Sequence, residues 1–244
     1  MKKMIRWIIL FIGIIAVCIA GLFLYIDQLP GNASAYSFEE IEVLENSPLQ
    51  EKKICVLGSS VTDGMAAKGN AIGEYIAKRF RCDYVKEAVI GTTLADHGFL
   101  SYVDRIRKIN TEETFDLFIC QLSTNDATKK YNLGNTGSSD VKTITGAIEY
   151  IICYVKDTWN CPIVFFTNSK YENDGYEDMV QRVYDLQDKY DIGIIDLWNN
   201  PAFNDITDEQ RKLYMYDKIH PTMAGYRDWW GPEVEKQLLK YLEE

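Results

Sequence analysis

Strand-like runs separated by helix-like stretches constrain this chain more than any other feature of it. Lys53–Leu57, Tyr84–Val89, Phe115–Leu122, Ile163–Thr167 and Ile192–Leu197 read as strands. Ile72–Phe80, Tyr102–Ile109, Ile144–Trp159 and Tyr176–Tyr190 carry helical spacing between them, and Met223–Tyr241 closes the chain with another helix. Strands apolar at consecutive positions must be covered on both faces. With helices between them, that condition predicts an α/β fold: one parallel sheet in the middle of three layers, helices on both sides. Binding and chemistry in such sheets collect beyond the carboxyl ends of the strands.

The first 27 residues stand apart. Lys2, Lys3 and Arg6 precede Trp7–Ile26, a stretch without a charged side chain. As a helix rising about 1.5 Å per residue, that stretch matches the roughly 30 Å apolar thickness of a bilayer. Basic residues before it predict a cytoplasmic start, with everything after Asp27 on the far side. Its length favours an uncleaved anchor over a removable secretion signal, although Ala33-Ser34-Ala35 has the small residues of a cleavage site. The expected organisation is therefore an anchor (1–27), a polar tether (28–51) containing Pro30, Gly31 and Pro48, and one globular domain (52–244).

Residues 28–244 hold 23 of the 26 basic and 35 of the 36 acidic side chains, a net charge of −12. Such a surface repels nucleic acid, which is excluded as a partner. The six cysteines are scattered without a Cys-x-x-Cys pair, so no zinc site is expected. Cys153 and Cys161 are the nearest pair for a disulfide, but free thiols are the simpler reading.

Two segments carry chemistry. Gly58-Ser59-Ser60-Val61-Thr62-Asp63-Gly64 follows the first strand, where Ser60 falls on a strand-to-helix turn. Asp217-Lys218-Ile219-His220-Pro221 supplies an imidazole with a carboxylate three residues before it. A serine hydroxyl is a weak nucleophile until a base takes its proton and a third group orients that base. Only His97 and His220 are available as that base. Taken singly, the first segment could be a capped turn and the second an ordinary helix start. Asp63, Asp96 and Asp126 lie near strand ends, but no histidine joins them at metal-ligand spacing, and no metal or cofactor is expected.

Between these segments stand Glu87-Ala88-Val89-Ile90-Gly91 and Ser123-Thr124-Asn125-Asp126. The four segments, in this order, resemble the blocks of the SGNH (GDSL-type) hydrolases, and the resemblance covers Lys52 to about Tyr241. It implies a flavodoxin-like sheet and a serine esterase. Ser60 would be the nucleophile, His220 the base and Asp217 its orienting acid. The Ser60 and Gly91 backbone N–H groups and the Asn125 amide would form the oxyanion hole. Two positions depart from the family pattern: Ser59 replaces its aspartate, and Ser123 replaces a glycine. Ser59 is thereby a rival nucleophile, and Ser123 is expected to crowd the acyl pocket.

The expectation is a membrane-anchored, extracytoplasmic esterase acting on small O-acyl groups such as acetyl, on small molecules or glycans. Transfer to a sugar hydroxyl, lysophospholipid hydrolysis and a non-catalytic binding module remain alternatives.

Overall fold

The computed structural model describes residues 7, 8, 10, 11, 13, 14, 17, 21 and 24–243. Five strands, β1 (Lys53–Gly58), β2 (Asp83–Ala88), β3 (Leu117–Gln121), β4 (Ile163–Phe166) and β5 (Gly193–Ile195), form one sheet. All neighbours are parallel and the order is β2-β1-β3-β4-β5. The chain steps outward from β1 to β2, then crosses back to place β3 on the other side of β1. Connections therefore diverge above the β1/β3 pair and leave a crevice at their carboxyl ends.

Burial follows the alternation of side chains along each strand. Cys55 and Leu57 of β1 and Phe118 and Cys120 of β3 enter one core, beneath α3 (Tyr102–Ile106), α5 (Ile144–Trp159) and α6 (Asp174–Tyr190). Ile54 and Val56 of β1 and Leu117 and Ile119 of β3 enter the other core. That second core lies under α2 (Ile72–Phe80), a π-helical segment at Gly225–Trp230, and α9 (Gly231–Glu243). Short helices α1 (Ser60–Asp63) and α4 (Thr124–Thr128) leave β1 and β3, while α7 (Pro201–Asn204) and α8 (Asp208–Tyr214) fill the last crossover. The helix expected over Met223–Tyr241 thus divides in two. Its wider π turn brings neighbouring side chains closer in angle, and both Trp229 and Trp230 are buried.

The long helices are closed by local chemistry. Thr143 and Asn173 accept backbone N–H bonds at the starts of α5 and α6. Asn160 and Asp191 end them in the left-handed conformation, at φ 49° and 48°. Among the described residues the cysteines are free thiols, and only Cys153 is exposed.

Most of the expected anchor (1–27) lies outside the described residues, and no helix among those described is long and apolar enough to cross a membrane. Residues 28–51, read as a tether from their polarity, lie against the domain as three short 3-10 turns. Phe38 and Leu49 join the second core. Asn32 is fully buried: its amide nitrogen donates to the Ile26 and Ala66 carbonyls, both at 2.8 Å, and its oxygen accepts the Met223 N–H at 2.9 Å. One side chain thereby ties the leading segment to the stretch just after His220.

Replacing Asn32 by Ala leaves the Ala66 carbonyl and the Met223 N–H without partners and the Ile26 carbonyl with the Leu29 N–H alone, a loss of about 2–3 kcal/mol. Thermal unfolding should show a Tm about 5–10 °C lower. A Tm unchanged within about a degree would show that the leading segment is loosely attached.

Candidate active site

The site begins where β1 runs out. A Cβ on Gly58 would lie 1.9 Å from Thr62 Oγ1 and 2.8 Å from Gln121 Oε1, so the turn closes only around glycine. Gln121, the buried last residue of β3, accepts from Ser59 N (2.9 Å), Thr62 N (3.2 Å) and Thr62 Oγ1 (2.9 Å). This latch holds the first turn of α1 against the neighbouring strand. Ser60 is left at the helix start, and its own N–H meets no acceptor among the described residues.

Ser60 and Ser59 point apart. The Ser59 hydroxyl is fully buried, 3.4 Å from Gln121 Oε1 and 3.3 Å from the Asn125 amide nitrogen. Ser60 Oγ instead lies 2.8 Å from His220 Nε2. Residues 160 positions apart are thus in hydrogen-bond contact, and of the two serines Ser60 is the one whose hydroxyl meets the imidazole.

His220 is held by its own loop. Its Nδ1 lies 2.8 and 3.0 Å from the two Asp217 carboxylate oxygens. Asp217 Oδ1 also accepts the Ile219 and His220 N–H groups, each at 2.8 Å. Partial burial pushes the Asp217 carboxyl up, but the imidazole and those backbone donors outweigh it and hold the group below its ordinary value. An ionised Asp217 accepts a hydrogen bond from Nδ1–H, leaving Nε2 to accept from Ser60. Tyr216 N donates to the His220 carbonyl at 2.9 Å, and Met215 bridges to Pro221, which closes the loop on itself.

Opposite the imidazole stand the loops after β2 and β3. Gly91 has φ +78°, and its N–H finds no acceptor among the described residues. The Asn125 amide donates to the Thr92 carbonyl at 2.9 Å and, at 3.3 Å, to Ser59 Oγ. Among the described residues the Ser60 and Gly91 N–H groups are thus without acceptors, while the Asn125 amide is held between Thr92 and Ser59. Ser123 does not crowd this space. It is fully buried, and its hydroxyl accepts the Asn125 N–H at 3.2 Å as the cap of α4.

The remaining candidates have other tasks. Asp126 is buried and accepts the Leu94 and Ala95 N–H groups at 2.8 and 2.9 Å, pinning the Gly91 loop to α4. Burial pushes its carboxyl up despite those bonds. Asp96 accepts from Ser101 Oγ, and the Asp63 carbonyl takes a bond from Lys86. His97 contacts the Lys142 carbonyl through Nε2 at 2.6 Å and packs on the Tyr131 ring. Among the described residues no group of three or more His, Cys, Asp or Glu side chains could hold a metal ion. Trp229 stacks on Phe203 and donates to its carbonyl, so it serves packing.

Two residues central to this arrangement are not singled out by the sequence. One is Gln121. The other is Arg105 of α3, only 2% exposed. Its guanidinium donates to the Gly58 carbonyl (2.7 Å), the Glu87 carbonyl (2.6 Å), the Leu100 carbonyl (3.0 Å) and Thr92 Oγ1 (3.2 Å). Glu87 Oε1, 3.2 Å away, balances its charge. Arg105 therefore joins the end of β1 to the loop bearing Gly91.

Arg105→Met removes a donor from the buried Gly58 carbonyl and the more open Glu87 and Leu100 carbonyls and strands the Glu87 carboxylate, a loss of about 3 kcal/mol. Thermal unfolding should register a Tm about 6–12 °C lower, with Arg105→Lys recovering part of the difference. Equal stability of Met and Lys variants would contradict a hydrogen-bonding role.

The pattern extends beyond this chain. The family model described as GDSL-like lipase/acylhydrolase matches residues 56–227, well over half of the sequence. No curated protein matches. Among solved structures, a protein from Lactobacillus plantarum is similar at 17% identity and TM-score 0.65, over 80% of this chain and 97% of its own. A protein from Chitinophaga pinensis, named a possible lipase, is similar at 14% identity and TM-score 0.60, over 78% of this chain and 100% of its own. A member of the lipolytic G-D-S-L family from Veillonella parvula is similar at 14% identity and TM-score 0.54, covering 77% and 96%. At such identities the likeness establishes the fold, while the family match reaches from inside β1 to beyond His220. The chain belongs to the GDSL-like lipase/acylhydrolase family.

Proposed function

We propose that this family member is a serine esterase cleaving O-acyl esters through an acyl-enzyme formed on Ser60. The observation that carries the reading is the 2.8 Å contact between Ser60 Oγ and His220 Nε2, with Asp217 against the other ring nitrogen. In the first step Ser60 Oγ bonds to the ester carbonyl carbon while its proton passes to His220 Nε2. The carbonyl oxygen becomes negative and meets the Ser60 and Gly91 N–H groups and the Asn125 amide. Collapse breaks the ester C–O bond, and His220 returns its proton to the departing alcohol. Water repeats the sequence, releasing the acid and restoring Ser60. Asp217 keeps the imidazole in one tautomer and balances its charge while it is protonated.

Lys2, Lys3 and Arg6 before the uncharged Trp7–Ile26 stretch support a single-pass anchor with the catalytic domain outside the cytoplasm. Glycan or other envelope-associated esters suit that location, and membrane fractionation with external protease addition tests it. Co-sedimentation of an intact chain with soluble protein would refute the anchor.

Three measurements test the chemistry. The chain should hydrolyse an activated acetyl ester, and a fluorophosphonate should label Ser60. Ser60→Ala should abolish both, and His220→Ala should lower kcat by several orders of magnitude, since members of such a relay act as a unit. Turnover surviving in Ser60→Ala but lost in Ser59→Ala would move the nucleophile. Asn125→Ala should lower kcat by about 10²–10³ with KM little changed. A change confined to KM would mean that Asn125 binds substrate without stabilising charge.

A further inference from the structure

The loop that carries Asp217 and His220 also walls a groove of about 560 Å³. Asp217 is on its inner edge, and four cations, Lys170, Arg211, Lys212 and Lys218, line it. All four side chains are exposed. Among the described residues, Arg211, Lys212 and Lys218 make no ion pair, and Lys170 has one loose contact, 3.7 Å from an exposed Glu177. Among the described residues many other cations are differently placed: Lys52, Lys53, Arg79, Lys86, Arg105 and Lys189 are each within about 3 Å of a carboxylate.

The acids of the same groove are Glu172, Asp208 and Asp217. Asp217 remains a carboxylate against the imidazole, so four cations face three carboxylates along the groove, a small positive excess in a chain whose net charge is −10. A local reversal of sign beside a reactive centre raises the concentration of anions there and steers them in.

Direction decides which part of an ester the groove would meet. Ser60, Gly91 and Asn125 come from the loops after β1, β2 and β3, whereas the groove is built from the segment after β4 (residues 170–172), α8 and the loop bearing His220. His220 Nε2 must protonate the departing oxygen, so the alcohol leaves on the imidazole side, and Asp217, which holds that imidazole, is itself a wall of the groove. Resting on the esterase reading above, we propose that the preferred substrates carry an anionic group, carboxylate or phosphate, on the alcohol portion of the ester, held by Arg211, Lys212 and Lys218.

The test uses the full chain and three acetyl esters with similar leaving oxygens: phenyl acetate, 4-acetoxybenzoate and 4-acetoxyphenyl phosphate. At low ionic strength, kcat/KM for the anionic esters should exceed that for phenyl acetate about tenfold, as two or three partly screened charge contacts allow. A larger ratio for one anion identifies whether carboxylate or phosphate is preferred. About 0.5 M salt should compress the ratio. Combining Arg211→Ala, Lys212→Ala and Lys218→Ala should bring it close to one, and because it is a ratio, partial loss of folded protein does not alter it. A wild-type ratio near one, or a ratio that survives the triple substitution, overturns the proposal while leaving the esterase intact. Hydrolysis of none of the three esters overturns the esterase reading and this one with it.

Discussion

The carboxyl edge of a parallel sheet ends in backbone groups that no further strand can satisfy, and this molecule answers that constraint with two buried side chains. Arg105 donates to the carbonyls ending β1 and β2, and Gln121 accepts the N–H groups of the turn leaving β1. Gln121 ties the turn of Ser59 and Thr62 to β3, and Arg105 joins the end of β1 to the segments around Glu87, Thr92 and Leu100, so Ser60 and the Gly91 loop are held relative to one another. A buried guanidinium is tolerable because Glu87 and several carbonyls surround it. Ser60 and Gly91 consequently rest on scaffold rather than on freely moving loops.

The base is organised differently. His220 and Asp217 lie on one short loop whose internal bonds settle the ring before any contact with Ser60. Only the 2.8 Å contact with Ser60 Oγ reaches from that loop to the nucleophile turn. On the other side of the loop, Asn32 fastens Met223 to the leading segment. A rigid sheet edge and a self-contained loop meet across the crevice that the strand order opens, and Asp217 of that loop also borders the cation-lined groove.

Much of this was legible from residue order, for identifiable reasons. Apolar runs such as Phe115–Leu122 admit few uses besides a covered strand, and the long helices carry both periodicity and caps. Ser60, Gly91, Asn125, Asp217 and His220 were accessible because their residue types recur in four ordered segments. Arg105 and Gln121 were not: an arginine in a helical stretch and a glutamine ending an apolar strand have no pattern, and their value arises from which distant backbone groups surround them. Asn32 was hidden in the same way, since a polar composition reads as a solvated tether until three buried partners appear. Ser123 misled through size alone, because its hydroxyl turns inward to cap α4 instead of facing the pocket.

The placement of the two halves along the chain has a consequence for biosynthesis. The Ser60 turn and the loops bearing Gly91 and Asn125 are complete by Asp126, but the imidazole that meets Ser60 arrives only at position 220. A polypeptide still emerging from the ribosome, or one cut short before that position, carries the serine turn without its imidazole partner. The Ser60–His220 contact therefore forms only after the last of the five strands has been made.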